Sequence, residues 1–239
     1  MIRERLVVGA VLALLGILPA CSGSQDPRAG LASFDEFHQG ILDADIFSGG
    51  PEQWFEEIGR KTLADCIEYG LEPDHRVLDV GAGALRVGWW LVHYIEPSNY
   101  HAIEPVRERI DTAAALLGSN AIHLHYNEDW QFPDETFDFV LARSIWTHAA
   151  KWMITKMLAE FAEHASPDGI FLTSVFLART REEEYIGDEW VGKIEKTDSG
   201  GGVMHSLSWI EKECAQFGLE VEVGSELQSQ RWLRITRAR

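Results

Sequence analysis

The sequence predicts an α/β domain with a doubly wound, mostly parallel sheet, on three observations. Residues 76–86, R-V-L-D-V-G-A-G-A-L-R, read as an apolar strand with an acid near its carboxyl end, a glycine turn, and a helix starting near Ala84. A second short strand, residues 100–103, ends in Glu104, about twenty residues after that turn, the spacing at which an acid meets a ribose. Strand-like and helix-like stretches then alternate to residue 177, and two closely spaced strands, residues 219–223 and 230–236, end the chain.

Length and charge narrow the class. A chain of 239 residues suits one domain with a substantial core. The net charge is −17, with no run of lysine or arginine that would form a basic patch. A phosphate backbone repels such a surface, so nucleic acid is not an expected substrate.

The first residues form a segment of their own. Arg3 and Arg5 precede an apolar run over residues 6–20, and Leu18-Pro19-Ala20-Cys21-Ser22 resembles the lipobox at which bacterial lipoprotein signals are cleaved, leaving a lipid-modified cysteine. As a helix the run would be about 22 Å long, short of the roughly 30 Å hydrocarbon core, so it fits a signal better than a spanning helix. Three outcomes stay open: a membrane-associated product lipid-anchored through Cys21, an uncleaved anchor, and a soluble cytoplasmic protein with a later start. The third is weakened because no methionine follows Met1 until Met153. The chain therefore divides into a signal or anchor at residues 1–21, a polar linker at 22–30, and a domain at 31–239.

Residues 31–58 mix acids with Phe34, Phe37, Phe47, Trp54 and Phe55, and Pro51 suits the first turn of a helix running to about Tyr69. The segment reads either as a helical lid over a pocket or as a helix packing its apolar face on the sheet.

The glycine turn decides the cofactor. Gly81 and Gly83 supply positive φ or close approach to a ligand, and the helix after them would aim free N–H groups at it. A dinucleotide fingerprint wants a third glycine where Arg86 stands, which argues against NAD. Asp79, just ahead of Gly81, would repel a pyrophosphate but suits a ligand carrying ammonium or sulfonium charge. S-adenosylmethionine carries both. With its apolar-L-D-x-G-x-G motif the chain resembles the class I, Rossmann-like S-adenosylmethionine-dependent methyltransferases, over roughly residues 51–239. It departs from them at Leu85, which stands in the third glycine position. Leu-Arg in this place is a variant associated with small-molecule methyltransferases.

That resemblance implies a seven-stranded Rossmann-like sheet with the last strand antiparallel, and it assigns site residues. Asp79 would hold the methionine amine, Gly81 and Gly83 give backbone room, Arg86 reaches the methionine carboxylate, and Glu104 takes both ribose hydroxyls. Between these, residues 89–95 continue as an amphipathic helix that Pro97 breaks.

Residues 106–117 read as a helix ended by Gly118, and 121–125 as a third strand with His123 and His125 on one face. No third metal ligand lies nearby in the sequence, so polar edge-strand residues are the expected reading. In the resembling family the next loop cups adenine. Asn127, Glu128, Asp129 and Trp130 are in reach, and with Tyr126 in the position of the family's aspartate the contact passes to Asn127 or Asp129.

Residues 137–142 form a fourth strand running into R-S-I-W-T-H, residues 143–148, at the sheet edge where doubly wound folds bind ligands. His148 is the candidate catalytic residue, a general base near neutral pH, with helix opening as its alternative role. Alignment of the acceptor can suffice for methyl transfer. A helix follows over 149–164, a turn at Asp168-Gly169, and a fifth strand over 170–177. Residues 178–203, charged and glycine-rich with Tyr185 and Trp190, read as a binding loop or a solvated one. Its acids would suit a neutral or cationic acceptor. Residues 206–217 read as the last helix.

Cys21, Cys66 and Cys214 show no metal spacing. The family topology puts the helices carrying Cys66 and Cys214 on opposite faces of the sheet, which forbids a bridge. The chain is expected to transfer a methyl group from S-adenosylmethionine to a small-molecule acceptor. The alternatives are a lipid-anchored, non-catalytic binding protein that retains the fold and a nucleotide-dependent oxidoreductase, which Arg86 disfavours.

Overall fold

The computed structural model describes residues 28–47, 52–192 and 201–239. The signal-like segment with Cys21, most of the linker, Pro51 and Ser199-Gly200 lie outside the described residues.

Burial without alternation marks the central strands, as two covered faces require. β1 (Val77–Val80) and β2 (Tyr100–Ile103) are buried at every position and pair in parallel. β3 (His123–His125) extends the sheet beyond β2, while β4 (Phe137–Ala142) pairs with the other side of β1. β5 (Ala165–Leu177) follows β4. A two-residue strand, β6 (Met204–His205), pairs with the end of β5, so the sheet has eight strands where seven were expected. The closing hairpin is β7 (Leu219–Leu227) and β8 (Gln230–Arg237), giving the order β3-β2-β1-β4-β5-β8-β7, with β8 antiparallel to both neighbours. Strand order reverses between β1 and β4, which opens a crevice at their carboxyl ends.

Alternate side chains of these strands feed two cores. Val77 and Leu141 face one that collects α1 (Phe34–Asp43), α2 (Phe55–Glu68), α3 (Gly88–Tyr94) and α4 (Arg107–Leu117). Leu78 and Val140 face the other, with α5 (Lys151–His164) and α6 (Leu207–Gln216). Cys66 belongs to the first core and Cys214 to the second, both as free thiols, as the expected topology required.

β3 starts two residues later and β7 runs four residues longer than expected, and three further boundaries differ for a visible reason. α3 starts at Gly88, not near Ala84, because Leu85 takes a left-handed φ of 55° and interrupts any earlier helical run. It is also not amphipathic: Gly88 through Val92 are all buried. β5 begins at Ala165, and Asp168-Gly169 lie in a bulge where the pairing jumps from Phe137↔Ala165 to Phe139↔Ile170. α5 starts at Lys151, after an extended Ala150, so His148 does not open it.

The aromatic N-terminal segment packs rather than covers. A capping box between Ser33 and Glu36 starts α1, whose Phe37 and Ile41, one turn apart, are fully buried. Phe34 meets the edge of Trp89 with ring centroids 5.2 Å apart, and Phe47 lies against Phe55. Of the five aromatics, Trp54 alone lines the cavity at the sheet edge, joined by Ile58 from the same segment, so most of the segment follows the packing reading.

Candidate active site at the carboxyl edge of the sheet

A cavity of about 600 Å³ sits at the carboxyl ends of β1, β2 and β4. The glycine turn forms its floor. Gly81 has φ 74° and Gly83 φ 58°, and a Cβ on Gly81 would clash with Ile145 Cδ1. The turn's amides are already used. Gly81 and Ala82 donate to the Ile103 carbonyl at 2.9 and 3.0 Å, and Gly83 donates to Glu104 Oε2 at 3.0 Å. At these three residues the turn contributes space rather than free N–H groups.

Asp79 lines the cavity from a buried position and accepts a hydrogen bond from the Tyr100 hydroxyl at 2.8 Å. Burial pushes its carboxyl up to about 7; the Tyr100 bond opposes that shift and the charge of Glu104 adds to it. Glu104 is buried too. Its Oε1 accepts from the Val106 amide at 3.1 Å and from Arg109 at 2.9 Å, a buried ion pair. Tyr100 and Arg109 were not singled out by sequence; the one available signal was a tyrosine opening an otherwise apolar, fully buried strand.

The other predicted residues divide. Arg86 lines the cavity, its guanidinium lowered to about 9 by burial and then by the nearby charge of Arg143. Asn127 lines it as well: Nδ2 donates to the Gln131 carbonyl at 2.9 Å, and Oδ1 is buried with no partner. Asp129 does not line it. That side chain is exposed and accepts from the Gln131 amide at 3.4 Å, holding the loop's shape.

The outer wall is a stack of rings. Trp190 lies between Trp130, 5.5 Å away, and His148, 5.4 Å away. His148 is half-buried, and its Nδ1 is 2.7 Å from the Val191 carbonyl. Burial lowers its pKa, while the carbonyls of Val191 and Gly201 pull the other way. Val191 N–H donates to the His148 carbonyl and Val203 N–H to that of Thr147, so the described parts of segment 178–203 are tied to the cavity rim. Tyr185 points elsewhere, donating to the Glu189 carbonyl.

The histidine pair on β3 gains an unforeseen neighbour. His101 of β2 stacks on His123 at 4.3 Å and on His125 at 5.5 Å, with interplanar angles of 16° and 4°. His101 Nδ1 also lies 3.2 Å from His125 Nε2, so the three rings form one stacked and hydrogen-bonded group at the sheet edge.

Comparison with known proteins agrees with this geometry. The chain is similar in structure to magnesium protoporphyrin IX methyltransferase from Synechocystis PCC 6803 with bound SAH, at 16% identity, covering 85% of this chain and 97% of that one, with a TM-score of 0.56. The CcbJ methyltransferase from Streptomyces caelestis matches at 16% identity over 85% and 98% of the two chains, TM-score 0.57. An S-adenosylmethionine-dependent methyltransferase from Clostridium acetobutylicum ATCC 824 matches at 14% over 86% and 98%, TM-score 0.55. These likenesses show the shared fold. Residues 52–223 match the model of a methyltransferase-domain family, and the chain belongs to that family of S-adenosylmethionine-dependent methyltransferases.

Proposed function

We propose that the chain methylates a small molecule held in the same cavity as the cofactor. The observation that carries this reading is the convergence of Asp79, Glu104 and a partnerless Asn127 Oδ1 on one cavity at the strand-order reversal. Each matches one part of S-adenosylmethionine. Asn127 Oδ1 is an acceptor for the adenine amino group. Glu104 Oε2 takes one bond from Gly83, leaving acceptor capacity for a ribose hydroxyl. Asp79 is an anion for the methionine ammonium, and Arg86, from the same turn, a cation for the carboxylate. The cofactor supplies an electrophilic methyl group on sulfur.

The protein's part is alignment and exclusion of water. Trp130, Trp190 and His148 wall the cavity. His148 is the candidate base: the tautomer that donates from Nδ1 to Val191 leaves Nε2 to take a proton from the acceptor. The cavity volume falls in the range of small-molecule sites, which supports an acceptor of that class. Residues 18–22 support a further part of the reading, membrane association through a lipidated Cys21, checked by radiolabelled palmitate incorporation that Cys21→Ser abolishes.

Calorimetric titration of the full chain tests the cofactor site. Micromolar binding of S-adenosylmethionine and none of NAD is expected; absence of the first would refute the site as drawn.

A further inference from the structure

Of the three arginines that line the cavity, Arg143 has no ion-pair partner among the described residues. Arg143, at the carboxyl end of β4, lines the cavity with 8% of its surface exposed. Its guanidinium is held on several sides. Nη1 donates to Ser144 Oγ, Ser174 Oγ and Gln230 Oε1, and Nη2 donates to Gln228 Oε1 at 3.2 Å. All of these are neutral oxygens. The seat is itself braced, since the Ser174 hydroxyl donates to Gln230 Oε1 at 2.7 Å and the Ser144 amide donates to Ser174 Oγ at 2.8 Å. Arg143 Nε is buried with no hydrogen-bond partner among the described residues. Asp65 acts on Arg143 only at longer range: that carboxylate accepts from Trp232 Nε1, whose ring lies 5.6 Å from the guanidinium carbon.

A buried charge is ordinarily paired, because dipoles orient it without cancelling it. Here the fixing dipoles are present and no carboxylate among the described residues pairs with the guanidinium. The cofactor does not supply it, for S-adenosylmethionine carries two positive groups and one carboxylate, and Arg86 stands on the same turn as Asp79 to meet that carboxylate. Loading the cofactor therefore raises the positive charge that Arg143 faces.

We propose that the methyl acceptor carries an anionic group, a carboxylate or a phosphate ester, that docks on Arg143, with its apolar body toward the Trp130 and Trp190 wall. This deepens the methyltransferase reading and rests on it. It also replaces the neutral or cationic acceptor suggested by the acids of segment 178–203, because the charge facing the cavity interior at this end is Arg143's.

The test uses the full chain saturated with S-adenosylhomocysteine, titrated with benzoate, phenyl phosphate and the neutral benzamide while tryptophan fluorescence is followed. At least one anion is expected to bind tenfold or more tightly than benzamide, and which one tells carboxylate from phosphate. Arg143→Met should erase that margin and leave benzamide binding as it was, while Arg143→Lys keeps part of it. Equal binding of all three probes overturns the proposal, as does a margin that survives Arg143→Met. Weakened S-adenosylhomocysteine binding in Arg143→Lys, without any anion margin in the wild type, would reassign Arg143 to the cofactor and overturn it too. Failure of the wild type to bind S-adenosylhomocysteine sinks the cofactor site itself, whereas normal binding without an anion margin sinks only the acceptor class. Should Arg143→Met not fold, the wild-type ratio and Arg143→Lys decide.

Discussion

Glu104 accepts the Gly83 amide at 3.0 Å across twenty-one residues of chain, so the acid at the end of β2 also clamps the glycine turn at the end of β1. The same carboxylate neutralises buried Arg109. Glu104→Ala is therefore expected to weaken S-adenosylmethionine binding several-fold or more and to destabilise the fold by about 3 kcal/mol, because it strands a buried cation. Denaturant unfolding and calorimetry on the same variant read the two effects. Unchanged affinity would remove Glu104 from the ribose.

Leu85 is fully buried at φ 55°, which sets two costs against each other. Left-handed backbone at a residue with a Cβ costs about 1–2 kcal/mol, while deleting a buried leucine side chain costs about 2–5 kcal/mol. Leu85→Gly is thus expected to be less stable than wild type, yet more stable than Leu85→Ala, which loses the packing and keeps the strain. Urea midpoints of the three proteins give the order. Alanine above glycine would mean the turn is not left-handed at this position.

Asp79 makes cofactor affinity depend on pH. With its carboxyl raised to about 7 by burial, it is largely protonated below that value and cannot meet an ammonium group. S-adenosylmethionine affinity should fall as pH drops from 8 to 6, approaching about tenfold per pH unit below 7. Asp79→Asn should bind weakly at every pH with a flat profile. A wild-type profile equally flat would separate Asp79 from the cofactor.

His101 works on stability in the opposite direction from Asp79. Burial, then the charges of His123, His125 and Arg76, lower it to about 3. The unfolded chain binds its proton near pH 6.5 and the folded chain does not, so this group's contribution is present above 6.5 and is lost as pH falls toward 3. Asp79, whose folded pKa is raised, contributes more at low pH and masks the slope in the wild type. The stability difference between wild type and His101→Gln isolates it: that difference should shrink by about 1 kcal/mol between pH 6.5 and 5.5, the slope approaching about 1.4 kcal/mol per pH unit below that. A difference constant with pH would mean that His101 is protonated in the folded state.

Much of the cavity's lining was legible because its signals are local. A buried strand, an acid, two glycines and a second acid about twenty residues on are constraints on neighbouring backbone, and the four residues they single out, Asp79, Gly81, Gly83 and Glu104, all line one cavity of the structure. Asn127 was legible only to within two residues, since loop geometry decided that Asp129 turns outward.

Periodicity and spacing along the chain determined the fold class, the strand–turn–helix unit and the candidate residues that line the cavity. Only the tertiary structure decided that the turn's amides serve Ile103 and Glu104 rather than a ligand, that Leu85 stands in for a glycine by taking a left-handed φ, and that Trp190 closes against His148 and Trp130. It alone showed the seat of Arg143, whose partners Ser174, Gln228 and Gln230 lie 31 to 87 residues away. The reason is physical: strand order and register choose which side chains face one another across the sheet, and neither leaves a mark on the spacing of residues along a single strand.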